Sequence, residues 1–351
     1  MNTLQSCVAQ VAELDVQAMN AARARHAQLT KPQGSLGRLE ELAIQVAGIT
    51  GQSRPRLERK AIVVCAGDHG VVAEGVSAFP QEVTAQMVLN FLRGGAAINV
   101  LARHVDARVV VMDVGVAADL PPHADLRVRK IGHGTANIAL GPAMTRAQAE
   151  QSIEVGIATI EEEIARGLDI VGTGDMGIGN TTPASAIVAT FTDLSAARVT
   201  GRGTGVDDAG LARKVATVER ALEINRPNPT DPLDVLSKVG GFEIGAIAGL
   251  VLGAAAHRIP VVVDGFISTA GALIATELCP AARDYCIAAH RSVEIGHQAM
   301  LAHIGLNPLL DLNMRLGEGT GAALAISLVE AACRVLDEMA TFAEAEVSDK
   351  A

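Results

Sequence analysis

The chain has 351 residues, 49% of them hydrophobic, and a formal net charge of −10 from 39 acidic and 29 basic side chains. With 35 Gly, six Phe, one Tyr and no Trp, it is long enough for a large core in one big domain or two, built from helices packed closely on a sheet. The absence of any basic run argues against nucleic acid as a partner, so an anionic ligand would need local donors rather than a global field.

Residues 1–50 read as helical, with Leu39, Leu42, Ala43, Val46 and Ala47 on one apolar face entered through KPQGSLGR and closed at Gly48. Glu13 and Asp15, with no early basic residue, are not the pattern expected of a signal peptide. After the polar linker QSRPRLER, Ala61–Cys65 is a short apolar run of the buried parallel type, ending in Ala66-Gly67-Asp68-His69-Gly70. A helix is expected from Thr84 to Leu92, and the next strand at Arg108–Met112, ending at Asp113-Val114-Gly115. Thr145 and Gln148 form a capping box, and the helix it opens carries Ile153, Ile157, Ile160 and Ile164 on one side and stops at Gly167.

Leu168–Val171 reads as a strand leading into the turn Gly172–Pro183, where Thr182 is a natural N-cap and Pro183 suits the first helical position. RPNPTDP at 226–232 is a surface connection, and Ile244–Ala256 is a buried helix, too short to span a bilayer. Further strands are expected at Ile259–Val263, ending at Asp264, and at Tyr285–Ala288, ending near His290 and Ser292.

Strand, Gly/Asp-rich loop and helix recur at least five times, which predicts an α/β fold: a Rossmann-like parallel sheet covered by helices on both faces. Ligands of such folds bind at the carboxyl ends of the strands, where Asp68, His69, Asp113, Asp175, Asp264 and His290 gather. The expected division is a catalytic domain over 60–318 and a smaller helical domain made from residues 1–55 and 319–351. Cys7, Cys65, Cys279, Cys286 and Cys333 lack zinc-like spacing and read as buried reduced thiols of a cytoplasmic protein. His26, His104, His123 and His257 read as surface residues.

The stretch Met314–Leu336 places Glu318, between Gly317 and Gly319, at the mouth of a long apolar helix whose only polar stripe is Ser327, Glu330 and Arg334. As a complement to the helix dipole the acid would contribute about 0.3–1 kcal/mol. That leaves the two glycines unexplained, whereas backbone approach to a ligand requires them. Burial raises a carboxyl pKa by up to about 3–5 units, which in a dry site would make Glu318 a base near neutral pH.

Gly172–Pro183 is the strongest local ligand signal, because a glycine-rich strand-to-helix turn presents free N–H groups at a positive helix end. The competing reading is an ordinary tight turn. The order of glycines is not the dinucleotide fingerprint, and the P-loop pattern is absent. Gly201–Gly205 with Lys214 offers a second phosphate contact, against the ordinary reading of a solvated lysine. Asp68-His69 and His290 could hold a metal, but no HExxH or Cys/His cluster supports it, so neither metal nor other cofactor is expected.

KPQGSLGRLE, DHGV followed by EGVSAFPQEVTAQM, GDMGIGNTTPASA, LSKVGGFEIG, VVVDGFIS and MRLGEGTGAALA resemble, in order from Lys31 to Leu336, the nicotinate-nucleotide–dimethylbenzimidazole phosphoribosyltransferases of cobalamin nucleotide-loop assembly. The resemblance implies a homodimer acting on two small molecules, nicotinate mononucleotide and dimethylbenzimidazole, with no membrane association. It implies Glu318 as catalytic base. It also implies phosphate and ribose contacts from Gly174, Asp175, Met176, Gly177, Asn180, Thr181, Lys214, Ser292, Gly317 and Gly319, and a base pocket of Phe79, Pro80, Gln81, Gln86, Met87 and Leu316. Asp175 stands where some members have Glu, and Phe79 and Met87 where some have Ser and Gln. The rival classes are a metal-dependent hydrolase using Asp68, Asp175, Asp264 and His290, and a non-catalytic nucleotide binder.

Overall fold

The structure, a computed structural model, describes residues 3–348. Helices α1 (Thr3–Gln10), α2 (Val16–Gln28) and α3 (Arg38–Thr50) precede β1 (Lys60–Gly67), α4 (Val83–Leu92), α5 (Ala97–His104), β2 (Ala107–Gly115) and β3 (Leu126–Val128). Then come α6 (Arg146–Ala165), β4 (Ile170–Met176), α7 (Thr181–Thr192), α8 (Ala196–Val199), α9 (Asp208–Asn225), α10 (Pro232–Val239) and α11 (Phe242–Ala256). The chain closes with β5 (Val261–Val263), α12 (Phe266–Leu278), β6 (Cys286–Ala288), α13 (Ile295–Ile304) and α14 (Thr320–Glu338).

All six strands are parallel, in the order β3-β2-β1-β4-β5-β6. Alternation along β1 divides the core. Ala61, Val63 and Cys65 join one apolar cluster with residues of α6, α11 and α12, while Ile62, Val64 and Ala66 join another with residues of α3, α4, α5 and α14. Small residues let α6 and α11 approach: a Cβ on Gly249 would stand 2.9 Å from the Ile153 carbonyl carbon and 3.0 Å from the Gly156 Cα. Strands are added to one side of β1 as far as β3 and then to the other side from β4 on, so the connections leaving β1 and β4 run to opposite sides and open a crevice at their carboxyl ends.

Several expectations need correction. Helices α2, α3 and α14 do pack together, and α14 also lies directly on β4 and β5, but α1 lies on the other face against α6 and α11. Residues 1–2 and 349–351 of the terminal segments fall outside the described residues. Strand β3, three residues long, and helix α5, eight residues long, are too short for their patterns to announce them. β4 runs on to Met176, because Gly172 and Gly174 pair with β1 rather than turning. Helix α7 therefore begins at Thr181 after Asn180, so Thr182 is not its cap. His26 is buried.

Candidate active site

The loop into α14 is the most strained backbone near the crevice. Gly317, Glu318 and Gly319 have φ of 79°, 62° and 93°; the left-handed region costs a non-glycine residue on the order of 1–3 kcal/mol. Its surroundings hold it there. The Glu318 N–H donates to the Asp175 carbonyl at 3.2 Å, and the Thr320 hydroxyl to the Gly317 carbonyl at 2.9 Å. Asp264, at the end of β5, accepts from the Gly319 N–H at 3.2 Å and the Ala322 N–H at 3.0 Å.

Asp264, not Glu318, thus caps α14. The Glu318 carboxylate instead reaches α5, where Oε2 accepts from the Ile98 N–H at 3.1 Å. The N-cap of α5 is Ala96, which has no side-chain acceptor for that first turn. The dipole reading of Glu318 is therefore correct in kind but applies to a helix 220 residues away. Glu318 is only 5% exposed. Burial raises its pKa and the Ile98 amide opposes the rise, leaving a carboxyl better suited to accept a proton than a solvated glutamate.

Beside this loop a cavity of about 100 Å³ lies at the carboxyl ends of β4, β5 and β6, lined among others by Asp175, Asn180, Thr181, Ser292, Leu316 and Gly317. Asp175 is buried; its Oδ2 accepts from Asn180 Nδ2 at 3.0 Å and its Oδ1 has no partner. Burial, then the negative charges of Asp264 and Glu243, push its pKa well above the usual carboxylate range. Burial also pushes Asp264 up to about 7, against the amides it accepts from.

Lys214 is fully buried, and its ammonium donates to the Thr181 hydroxyl. Burial lowers its pKa to about 8, opposed by the charge of Glu294, which among the described residues forms no salt bridge with it. A buried cation without a counter-ion is costly, and an anion entering beside Thr181 would relieve that cost. His297, lowered to about 3 by burial, is neutral: its Nδ1 accepts from the Ser292 N–H at 2.9 Å and its Nε2 donates to the Thr269 hydroxyl at 2.9 Å. That fixes Ser292 at the cavity wall.

Other expected residues sit elsewhere. Gly174 belongs to β4, where a Cβ would stand 2.7 Å from the Glu318 carbonyl carbon and 2.9 Å from the Gly319 nitrogen. A Cβ on Gly177 would collide with the Gly67 carbonyl oxygen, and Met176 packs against the α4–α5 core. These three shape the site without lining the cavity. Phe79 and Pro80 lie exposed before α4, Gln86 is exposed on it, and Gln81 and Met87 are half-buried. Phe79 is 51% and Leu316 58% exposed, unlike walls of a closed dry pocket. Thr84 ties α4 to the turn before α7, its hydroxyl accepting from the Ile178 N–H at 3.0 Å.

The sequence reading missed Ile98, Glu294 and Arg315. Glu294 accepts from the Gly203 N–H at 2.8 Å, and Arg315 donates to the Gly203 carbonyl at 3.2 Å, both on the cavity wall. Only Ala96 gave a signal for Ile98, as a helix start without a cap. His69 pairs with buried Glu243 at 2.8 Å, and Asp68 accepts from the Ala117 N–H at 2.7 Å, so both brace loops. Among the described residues no three His, Cys, Asp or Glu side chains converge as metal ligands.

A phosphoribosyltransferase family matches residues 11–347. The chain is 63% identical over 350 residues to a nicotinate-nucleotide–dimethylbenzimidazole phosphoribosyltransferase of Chloroflexus aurantiacus, covering 100% of both chains. It is 62% identical over 350 residues to the enzyme of the same name from Roseiflexus castenholzii, covering 100% of this chain and 99% of that one. The crystal structure of CobT from Thermus thermophilus matches with a TM-score of 0.92 at 52% identity, over 95% of this chain and 100% of the other. The hydrolase and the non-catalytic binder find no support among these relatives.

Proposed function

The chain belongs to the nicotinate-nucleotide–dimethylbenzimidazole phosphoribosyltransferase family, and from that premise we propose how its site performs the transfer. The reaction moves the phosphoribosyl group of nicotinate mononucleotide to 5,6-dimethylbenzimidazole, giving α-ribazole 5′-phosphate and nicotinate in cobalamin biosynthesis.

Nicotinate leaves the anomeric carbon as a neutral ring from a pyridinium, so its departure needs no general acid. One benzimidazole nitrogen attacks from the opposite face and inverts the β-linkage to α. The attacking ring becomes cationic and its other N–H passes the proton to Glu318. Lys214 and Thr181 hold the phosphate, while Asp175, Asn180 and Ser292 face the ribose. Gly317 and Gly319 keep the backbone low beside the sugar, and Gly174, Met176 and Gly177 set the floor beneath it. Phe79, Pro80, Gln81, Gln86, Met87 and Leu316 cover the incoming base, so the open surface they form closes when the ring binds. The rest is positioning of two rings on one ribose.

The observation that carries this reading is Glu318 itself: a buried carboxylate, held in a left-handed conformation by its neighbours, next to a cavity whose Thr181 is bonded by the buried Lys214. Incubation with both substrates tests it. Equal amounts of nicotinate and α-ribazole phosphate support it, while nicotinate release independent of the benzimidazole contradicts it. A homodimer, a cytoplasmic location and a small helical domain drawn from both terminal segments, with α2, α3 and α14 but without α1, belong to the same proposal. The five buried free cysteines agree with a reducing compartment, and sedimentation tests the dimer.

A further inference from the structure

Helices α4 and α5 form a hairpin fastened to the site at two points. Thr84 of α4 accepts from Ile178 beside the cavity, and Ile98 of α5 donates to Glu318. Between them the turn is closed by one buried side chain. Asn99 Oδ1 accepts from the Ala96 N–H at 3.1 Å, and its Nδ2 donates to the Phe91 carbonyl at 3.0 Å. Asn99 therefore bonds the last turn of α4 and the N-cap of α5 at once, and Ile98 is its immediate neighbour.

We infer that Asn99 is a positioning residue for the transfer: by locking the α4–α5 turn it aims the Ile98 N–H at Glu318, so that the base is oriented by a helix start whose own cap is missing. This rests on Glu318 acting as the base. The Ile98 N–H is the only hydrogen bond on that carboxylate among the described residues. An amide favours the ionised form of a carboxyl, so its loss leaves the acid protonated over a wider pH range. Asp175 on β4 and Asp264 after β5 face the same loop from the sheet. On the hairpin the charged or titratable groups are Arg93, Arg103 and His104, all exposed, and Arg315 is the exposed cation of the loop itself. The acid limb of kcat then reports these coupled carboxyls together.

The test is the pH profile of kcat for Asn99→Ala, with nicotinate mononucleotide affinity as the check on the rest of the site. The expected result is an acid limb displaced to higher pH and kcat roughly tenfold lower on its acid side, with nucleotide affinity nearly unchanged. Ile98→Pro removes the amide proton itself in the first helical turn, where proline is tolerated, and should displace the limb in the same direction. It also decides the matter if Asn99→Ala does not fold. A limb that stays in place in either folded variant overturns the inference. Failure of the wild type to form α-ribazole phosphate would instead strike the functional reading, so the two failures are distinguishable.

Discussion

Gly174 lies directly beneath the backbone of Glu318, and the space a Cβ would take on Gly174 is already filled by the Glu318 carbonyl group and the Gly319 nitrogen. The central strand and the loop before α14 are thus fitted to each other at one atom's resolution. The glycine serves the shape of the loop, and through it the direction of the carboxylate.

Gly174→Ala should therefore lower kcat more than it raises the KM for nicotinate mononucleotide. The methyl meets backbone rather than a side chain that could swing away, so overpacking should cost about 1–3 kcal/mol. Steady-state kinetics with thermal unfolding checks both parts. A lower Tm with unchanged kcat would mean that the loop moves without disturbing Glu318.

Lys214→Met should raise thermal stability while weakening nicotinate mononucleotide binding at least about tenfold. In the wild type, burial lowers the lysine to about 8, with Glu294 opposing the shift. The ammonium is present below that pH and lost above it, so nucleotide affinity should fall as pH rises through about 8. Calorimetry across this range should show the fall in wild type and a weak, flat profile in the variant.

With Phe79 and Met87 proposed to cover the incoming ring, the contact they would make is apolar with almost no hydrogen bonding. A hydroxyl buried there without a partner costs about 1–3 kcal/mol, which predicts a roughly ten- to hundredfold preference in kcat/KM for dimethylbenzimidazole over a hydroxybenzimidazole. Phe79→Ser should narrow that ratio. Direct competition between the two bases reads it, and a ratio unaltered by the substitution removes Phe79 from the pocket.

Local patterns carried the parts of the fold that local physics decides. β1 was legible because a strand buried on both faces must be apolar throughout, and Ala61–Cys65 is. Thr145 and Gln148 announced α6 because each satisfies the other's backbone, at 3.2 and 3.0 Å. The end of β4 was hidden because Gly172 and Gly174 look like a turn. What they admit is α14 and its loop: a Cβ on Gly172 would stand 3.1 Å from the Ala322 Cβ. Asn180, at the end of the same turn, bonds Asp175 rather than capping α7. Glu318 stood out between its glycines, but its partner Ile98 did not, since a backbone amide 220 residues away is marked only by the uncapped helix start at Ala96.

The central claim is that Glu318 is the proton acceptor of the transfer, and Glu318→Gln tests it most directly. The amide oxygen can still accept from Ile98, so the fold and nicotinate mononucleotide binding should survive. Formation of α-ribazole phosphate should fall by about 10²–10⁴-fold. Turnover near the wild-type rate in a folded Glu318→Gln protein would contradict the account.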